Sequence, residues 1–183
     1  MTTTSPPPPP APHAEPHGAA SAHTLDALRF PLHGSRLIEA SAGTGKTWTI
    51  AALYLRLVLG HGQRAGSADD EDAQGPEPTA FHRPLLPAEI LVMTFTRAAT
   101  RELSDRIRAR LIEAARCFRG EPPPSAQGYD ALLTDLLADY PDHTARNQAA
   151  WRLAMAAEAM DDAAVFTIDA WCQRMLREHA FDS

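Results

Sequence analysis

An α/β fold, with a parallel sheet flanked by helices, is predicted by three observations. A glycine-rich loop, Ala40-Ser41-Ala42-Gly43-Thr44-Gly45-Lys46-Thr47, stands between a short apolar run and a stretch of helical periodicity. A continuous apolar run, Ile90 to Phe95, leads into a long amphipathic stretch, and a second run, Ala163 to Ile168, does the same near the end. Uninterrupted apolar runs of this length suit strands buried on both faces of a parallel sheet. Their alternation with helical periods indicates βα units.

The chain has 183 residues, enough for one sizeable domain. Met1 to about His23 is rich in Pro, Ala, Ser and Thr, with five consecutive prolines from Pro6 to Pro10. Such a tract buries no apolar face and is expected to be a disordered arm over residues 1–23. It does not read as a signal peptide, since neither a Lys or Arg nor an apolar core segment precedes Arg29. No run approaches the length of a membrane-spanning helix, so no membrane partner is expected. Cys117 and Cys172 have no metal-ligand spacing and are expected to be reduced core thiols in a cytosolic protein.

Arg36 to Glu39 is expected to be the first strand. Trp48 to Leu59 is expected to be a helix, with Ile50, Leu53, Tyr54 and Leu57 on its apolar face. Strand, glycine-rich turn and helix are the context a phosphate-binding loop requires. Gly43 and Gly45 let the backbone curl so that successive N–H groups face one oxyanion. The unpaired N–H groups of the helix's first turn add to that field. Lys46 brings a full charge to the outer phosphates, and the Thr47 hydroxyl suits Mg²⁺. Ala40 stands where a first glycine is expected, which a negative φ would permit. Of the seventeen Lys and Arg residues, Lys46 is the only lysine. A compact ammonium fits between phosphates where a planar guanidinium does not.

Further along, the 62–82 segment holds Asp69, Asp70, Glu71, Asp72 and Glu77, and reads as a solvated acidic loop between two α/β units. The second strand, Ile90 to Phe95, is followed by a helix whose apolar stripe is Leu103, Ile107, Leu111, Ala114 and Phe118. Arg97, Arg101 and Arg108 fall on an adjacent face. The net charge of −6 conceals a local excess here: seven Arg against Glu102, Asp105 and Glu113 between Arg97 and Arg119. Pro122 to Gln127 breaks the chain. Ala131 to Asp139 and Thr144 to Met160 then read as helices, with Leu132, Leu133, Leu136, Leu137, Trp151, Leu153, Met155 and Met160 in the core. The third strand, Ala163 to Ile168, leads into a helix capped by Asp169, with Trp171, Cys172, Met175 and Leu176 inside.

Three pieces in this order resemble superfamily 1 DNA helicases of the UvrD/Rep type. They are Ala40 to Thr47, then Val92-Met93-Thr94-Phe95-Thr96-Arg97-Ala98-Ala99-Thr100-Arg101-Glu102-Leu103, then Val165-Phe166-Thr167-Ile168-Asp169-Ala170-Trp171-Cys172. Leu37-Ile38-Glu39 before the loop, and Cys172-Gln173-Arg174-Met175-Leu176 after the last strand, are similar to the beta-subunit (RecB) branch of exodeoxyribonuclease V. The resemblance implies a P-loop NTPase (RecA-like) sheet, incomplete here, in residues 24–183. It implies an ATP- and Mg²⁺-dependent motor moving 3′ to 5′ on single-stranded DNA. Lys46 and Thr47 would be catalytic, and Ala40, Ser41, Ala42, Gly43, Thr44, Gly45, Lys46 and Thr47 would hold the nucleotide. Phe95, Thr96, Arg97, Arg101 and Thr167 would meet DNA, whether a single strand or a duplex end. RecC- and RecD-like subunits would be partners.

Aspartate at position 169 replaces the histidine usual in the family and would repel a phosphate. No upstream glutamine is present to read adenine: the first in the chain is Gln63. No Asp-Glu pair closes an apolar strand after Ile168, so the chain reads as the N-terminal part of a longer helicase–nuclease. An AddA-type helicase–nuclease, a stand-alone P-loop kinase and a non-catalytic nucleotide-binding module stay open as alternatives.

Overall fold

Two short strands pair in parallel, each feeding directly into a helix. The computed structural model describes residues 25–41, 43, 45–62, 81 and 83–180. The proline-rich arm and most of the acidic loop lie outside the described residues. β1 (Val92–Thr94) and β2 (Val165–Thr167) run in register, Val92 beside Val165 and Thr94 beside Thr167. Five helices surround them: α1 (Lys46–Leu59), α2 (Arg97–Phe118), α3 (Ala131–Ala138), α4 (His143–Glu158) and α5 (Ile168–His179). The fold is therefore mixed α/β, with a parallel sheet of two strands among the described residues.

Helix ends follow their side-chain chemistry. Thr96, Asp130, Asp142 and Thr167 cap α2 to α5, each accepting a backbone N–H from three residues ahead. Gly60 ends α1 in the left-handed region, φ 66°, which glycine adopts without a Cβ penalty. Before β1, Arg83 donates both guanidinium nitrogens to Glu89 at 2.9 Å, and Glu89 also accepts Leu86 N–H at 2.8 Å. That closes the turn Pro87–Glu89 and aims the chain into the strand.

The core lies between α1, α2 and α4, and the expected stripe of α2 is buried in full. Four expectations require correction. Arg36 to Glu39 is not a strand: it carries no regular structure, and Leu37 is 84% exposed, because no strand among the described residues pairs with it. On α1 the buried face is Ala51, Tyr54, Leu55 and Val58, while Ile50 is exposed, since α2 and α4 cover that side. In α4, Leu153 and Met160 are buried, but Trp151 and Met155 face outward. Positions 151 and 153 differ by about 200° around a helix, so one face cannot hold both. Ala149, Ala150, Ala156 and Ala157 complete the buried side and let α4 approach α2 closely.

The last correction concerns α5. Thr167, not Asp169, is its cap, with the hydroxyl accepting Ala170 N–H at 3.2 Å. Asp169 lies in the first turn and accepts Gln173 Nε2–H at 3.1 Å. No residue of α5 is buried, so Cys172 and Leu176 are exposed and only Cys117 is a core thiol. The helix contacts the sheet, and nothing among the described residues covers its outer face.

Candidate functional site

The first component is the start of α1. Gly43 and Gly45 have φ of 79° and 81°, so the loop's curl rests on residues without a Cβ. No described non-glycine residue has a positive φ, so Ala40 is unstrained where it replaces a first glycine. Ala42 and Thr44 lie outside the described residues. α1 opens on Gly45 without a side-chain cap, unlike the other four helices, and its first turn holds no acidic residue. Its first N–H groups and their dipole thus carry no competing carboxylate. Lys46 is exposed, and its ammonium donates to the carbonyls of Ala40 at 3.2 Å and Ser41 at 2.5 Å. Thr47, half-buried, follows it.

Next to Thr47 the surface opens into a cleft of about 620 Å³, walled by Trp48, Arg106, Arg110, Arg116 and Asp130. Trp48 donates its indole N–H to Asp130 Oδ2 at 3.3 Å. Asp130 also pairs with Arg110 at 2.7 Å, and Arg110 holds Glu113 at 2.8 Å. Burial pushes the Asp130 carboxyl up, but the bonds from Arg110, Leu133 N–H and Trp48 outweigh it, and the group ends below the ordinary aspartate value. Asp130 and Arg110 escaped the sequence reading. Aspartate ahead of Leu132-Leu133 is a visible cap signal, but its second and third partners come from distant parts of the chain.

The second component is the carboxyl edge of the sheet. The register of Thr94 beside Thr167 brings the two strand-to-helix turns together. Phe95 is 90% exposed there, followed by exposed Thr96, Arg97 and Arg101. Thr96 Oγ1 accepts Ala99 N–H at 3.1 Å, as Thr167 Oγ1 does for Ala170. Each hydroxyl keeps its own O–H to donate outward. Thr94 Oγ1 and Thr100 Oγ1 lie 2.5 Å apart and brace the first of these turns.

The basic face of α2 is narrower than its composition suggests. Arg106 pairs with Glu102, Arg108 with Asp161, Arg110 with Glu113 and Asp130, and Arg116 and Arg119 with Glu121. Arg108 is thereby withdrawn from the face that the helical spacing shared with Arg97 and Arg101. Among the described residues, those two have no ion pair. No group of His, Cys, Asp and Glu able to hold a metal occurs among the described residues.

Residues 21–183 match the model of the UvrD/REP helicase N-terminal domain. The chain belongs to this UvrD/REP helicase family. It is 52% identical over 163 residues to RecBCD enzyme subunit RecB of Escherichia coli strain K12, covering 88% of this chain and 12% of that one. It is 42% identical over 162 residues to the RecB of Haemophilus influenzae, covering 87% and 12%. With the RecB of Mycobacterium tuberculosis strain H37Rv the identity is 32% over 141 residues, covering 77% and 10%. The chain thus spans only about 10–12% of the length of these curated relatives. No described helix is long and apolar enough to cross a membrane.

Proposed function

We propose that this chain is the N-terminal ATP-binding part of an ATP-dependent 3′–5′ DNA helicase/exonuclease subunit of the RecBCD type. The whole protein would process duplex ends in double-strand-break repair and recombination, in the bacterial cytoplasm, with RecC- and RecD-like partners. Residues 24–183 would form the first part of a RecA-like P-loop domain, with the 62–82 loop as an insertion and 1–23 as an arm. The observation that carries the reading is the start of α1: the one uncapped α-helix among the described residues begins on the chain's only lysine.

Nucleotide binding then uses residues of this chain in defined ways. The N–H groups of the Ala40–Thr47 loop and of α1's first turn receive phosphate oxygens. Lys46 exchanges two neutral carbonyl acceptors for charged phosphate oxygens, a stronger charge-assisted bond. The Thr47 hydroxyl makes no hydrogen bond among the described residues and is a hard oxygen ligand, which fits Mg²⁺. When bound, Mg²⁺ supplies a cation that neutralises the outer phosphates. At the sheet edge, Phe95 offers a stacking face, and Thr96, Thr167, Arg97 and Arg101 offer donors to a single strand's backbone.

Titration of the full chain with Mg-ATP, wild type against Lys46→Ala, tests the first half. Unchanged affinity would remove the phosphate-loop assignment. Titration with single-stranded DNA across a salt series tests the second half, using the Arg97→Ala/Arg101→Ala pair.

A further inference from the structure

Among the described residues, little regular structure supports the loop that would hold the nucleotide. Residues 35–41 form no ladder, and α1 has no side-chain cap to steady its first turn. Among the described residues, one hydrogen bond ties that first turn to another helix: Trp48 Nε1–H to Asp130 Oδ2, 3.3 Å. Asp130 is itself fixed. Its Oδ1 accepts Leu133 N–H at 3.0 Å as the cap of α3, and Arg110 donates to it at 2.8 Å. Arg110, only 8% exposed, lies with its guanidinium carbon 5.8 Å from the Trp48 ring centre. The indole is therefore held at its edge by a carboxylate and against a cation.

We infer that Asp130 and Arg110 are positioning residues for the phosphate loop, acting through Trp48. The inference rests on the nucleotide-binding reading above. Trp48 follows Lys46 by two residues and Thr47 by one, on the same helical turn. A fixed Trp48 fixes the rotation and tilt of that turn, and with it the direction of the free N–H groups and the root of the Lys46 side chain. Such preorganisation is where binding energy is gained, because a loop already ordered loses less freedom when the ligand arrives. The buried arginine adds stiffness: moving Asp130 would leave Arg110 without one of its two carboxylates.

The test uses Trp48→Phe, which keeps an aromatic ring at this position while losing the indole N–H and part of the ring's bulk, and Asp130→Asn, which keeps an acceptor for Leu133. Mg-ATP dissociation constants and thermal midpoints are measured in the full chain, with Lys46→Ala alongside. Each variant is expected to weaken Mg-ATP binding about 3- to 10-fold, as the loss of one hydrogen bond implies. The double variant is expected to be weakened no more than the worse single one, since both act on one contact. Thermal midpoints are expected to stay within about 2 °C of wild type for Trp48→Phe. Unchanged affinity in both, with Lys46→Ala defective, would overturn the positioning role and leave the phosphate loop standing. So would losses that simply add, or a loss that tracks a fallen midpoint. Should Asp130→Asn not fold, Trp48→Phe decides alone. Wild-type affinity in Lys46→Ala would overturn the nucleotide reading and this inference with it.

Discussion

Trp48 donates its indole N–H to Asp130 across 82 positions of sequence, at 3.3 Å. That contact joins the first turn of α1 to the cap of α3 and draws Arg110 of α2 to the same point. One consequence is a division of labour along α2. Arg110 in its middle holds neighbouring elements together, while Arg97 and Arg101 at its start make no ion pair among the described residues.

Lys46→Ala is expected to weaken Mg-nucleotide binding about 10- to 100-fold, the range for one charge-assisted hydrogen bond. Stability should barely change, because the ammonium is exposed and bonds only to carbonyls of its own loop. Titration calorimetry and a melting curve on the same sample separate the two effects.

Arg97→Ala with Arg101→Ala should lower single-strand affinity and flatten its salt dependence. If each arginine neutralises one phosphate, the slope of log K against log salt falls by about 1.4. Arg106→Ala and Arg119→Ala serve as controls of equal charge change; both residues are already paired within the chain, and their slope should move less. Fluorescence anisotropy at four salt concentrations reads this directly.

Gly60→Ala should destabilise the fold by about 1–2 kcal/mol. Gly60 has φ of +66°, and an added Cβ would sit 2.8 Å from Pro84 Cγ. Gly43→Ala meets no neighbouring atom, so its cost comes from backbone strain at φ 79° alone and should be smaller. Urea unfolding of the two variants ranks them.

His61 sets a pH dependence. Its Nε2–H donates to Asp139 at 2.8 Å, while Nδ1 accepts Arg56 Nε–H at 3.1 Å, which requires the neutral ring. Burial lowers its pKa most, and Arg56 and Arg29 lower it further against the opposing pull of Asp139. Arg56, buried and bonded to the carbonyls of Ala27 and Phe30, is itself drawn down to about 10 by burial. With the folded pKa below the unfolded one, the unfolded chain binds the proton first. The contribution to stability is complete above about pH 6.5 and is lost as pH falls through the lowered value. His61→Gln should flatten the melting midpoint between about pH 7.5 and about pH 5.5.

Periodicity and local chemistry were enough for much of this molecule. All five helices and the full stripe of α2 follow from spacing that repeats every few residues, and both strands after the acidic segment from short continuous apolar runs. The glycines at 43 and 45, and the lysine after them, were legible because a left-handed backbone and a lone ammonium leave plain marks in a sequence. Three ordered motifs carried the family. Tertiary structure decided what spacing cannot express. Arg36 to Glu39 has a strand's composition, but a strand exists only with a partner to accept its hydrogen bonds. Trp151, Met155 and Leu176 are apolar, but burial depends on which helix arrives at which face. Counting charges put seven arginines between Arg97 and Arg119, and the packing of Asp130, Asp161 and Glu121, added to the local pair of Arg106 with Glu102, leaves only Arg97 and Arg101 without an ion pair among the described residues. The contact of Trp48, Asp130 and Arg110 belongs to this second kind: indole, carboxylate and guanidinium come from three separate helix segments, and folding alone sets them together.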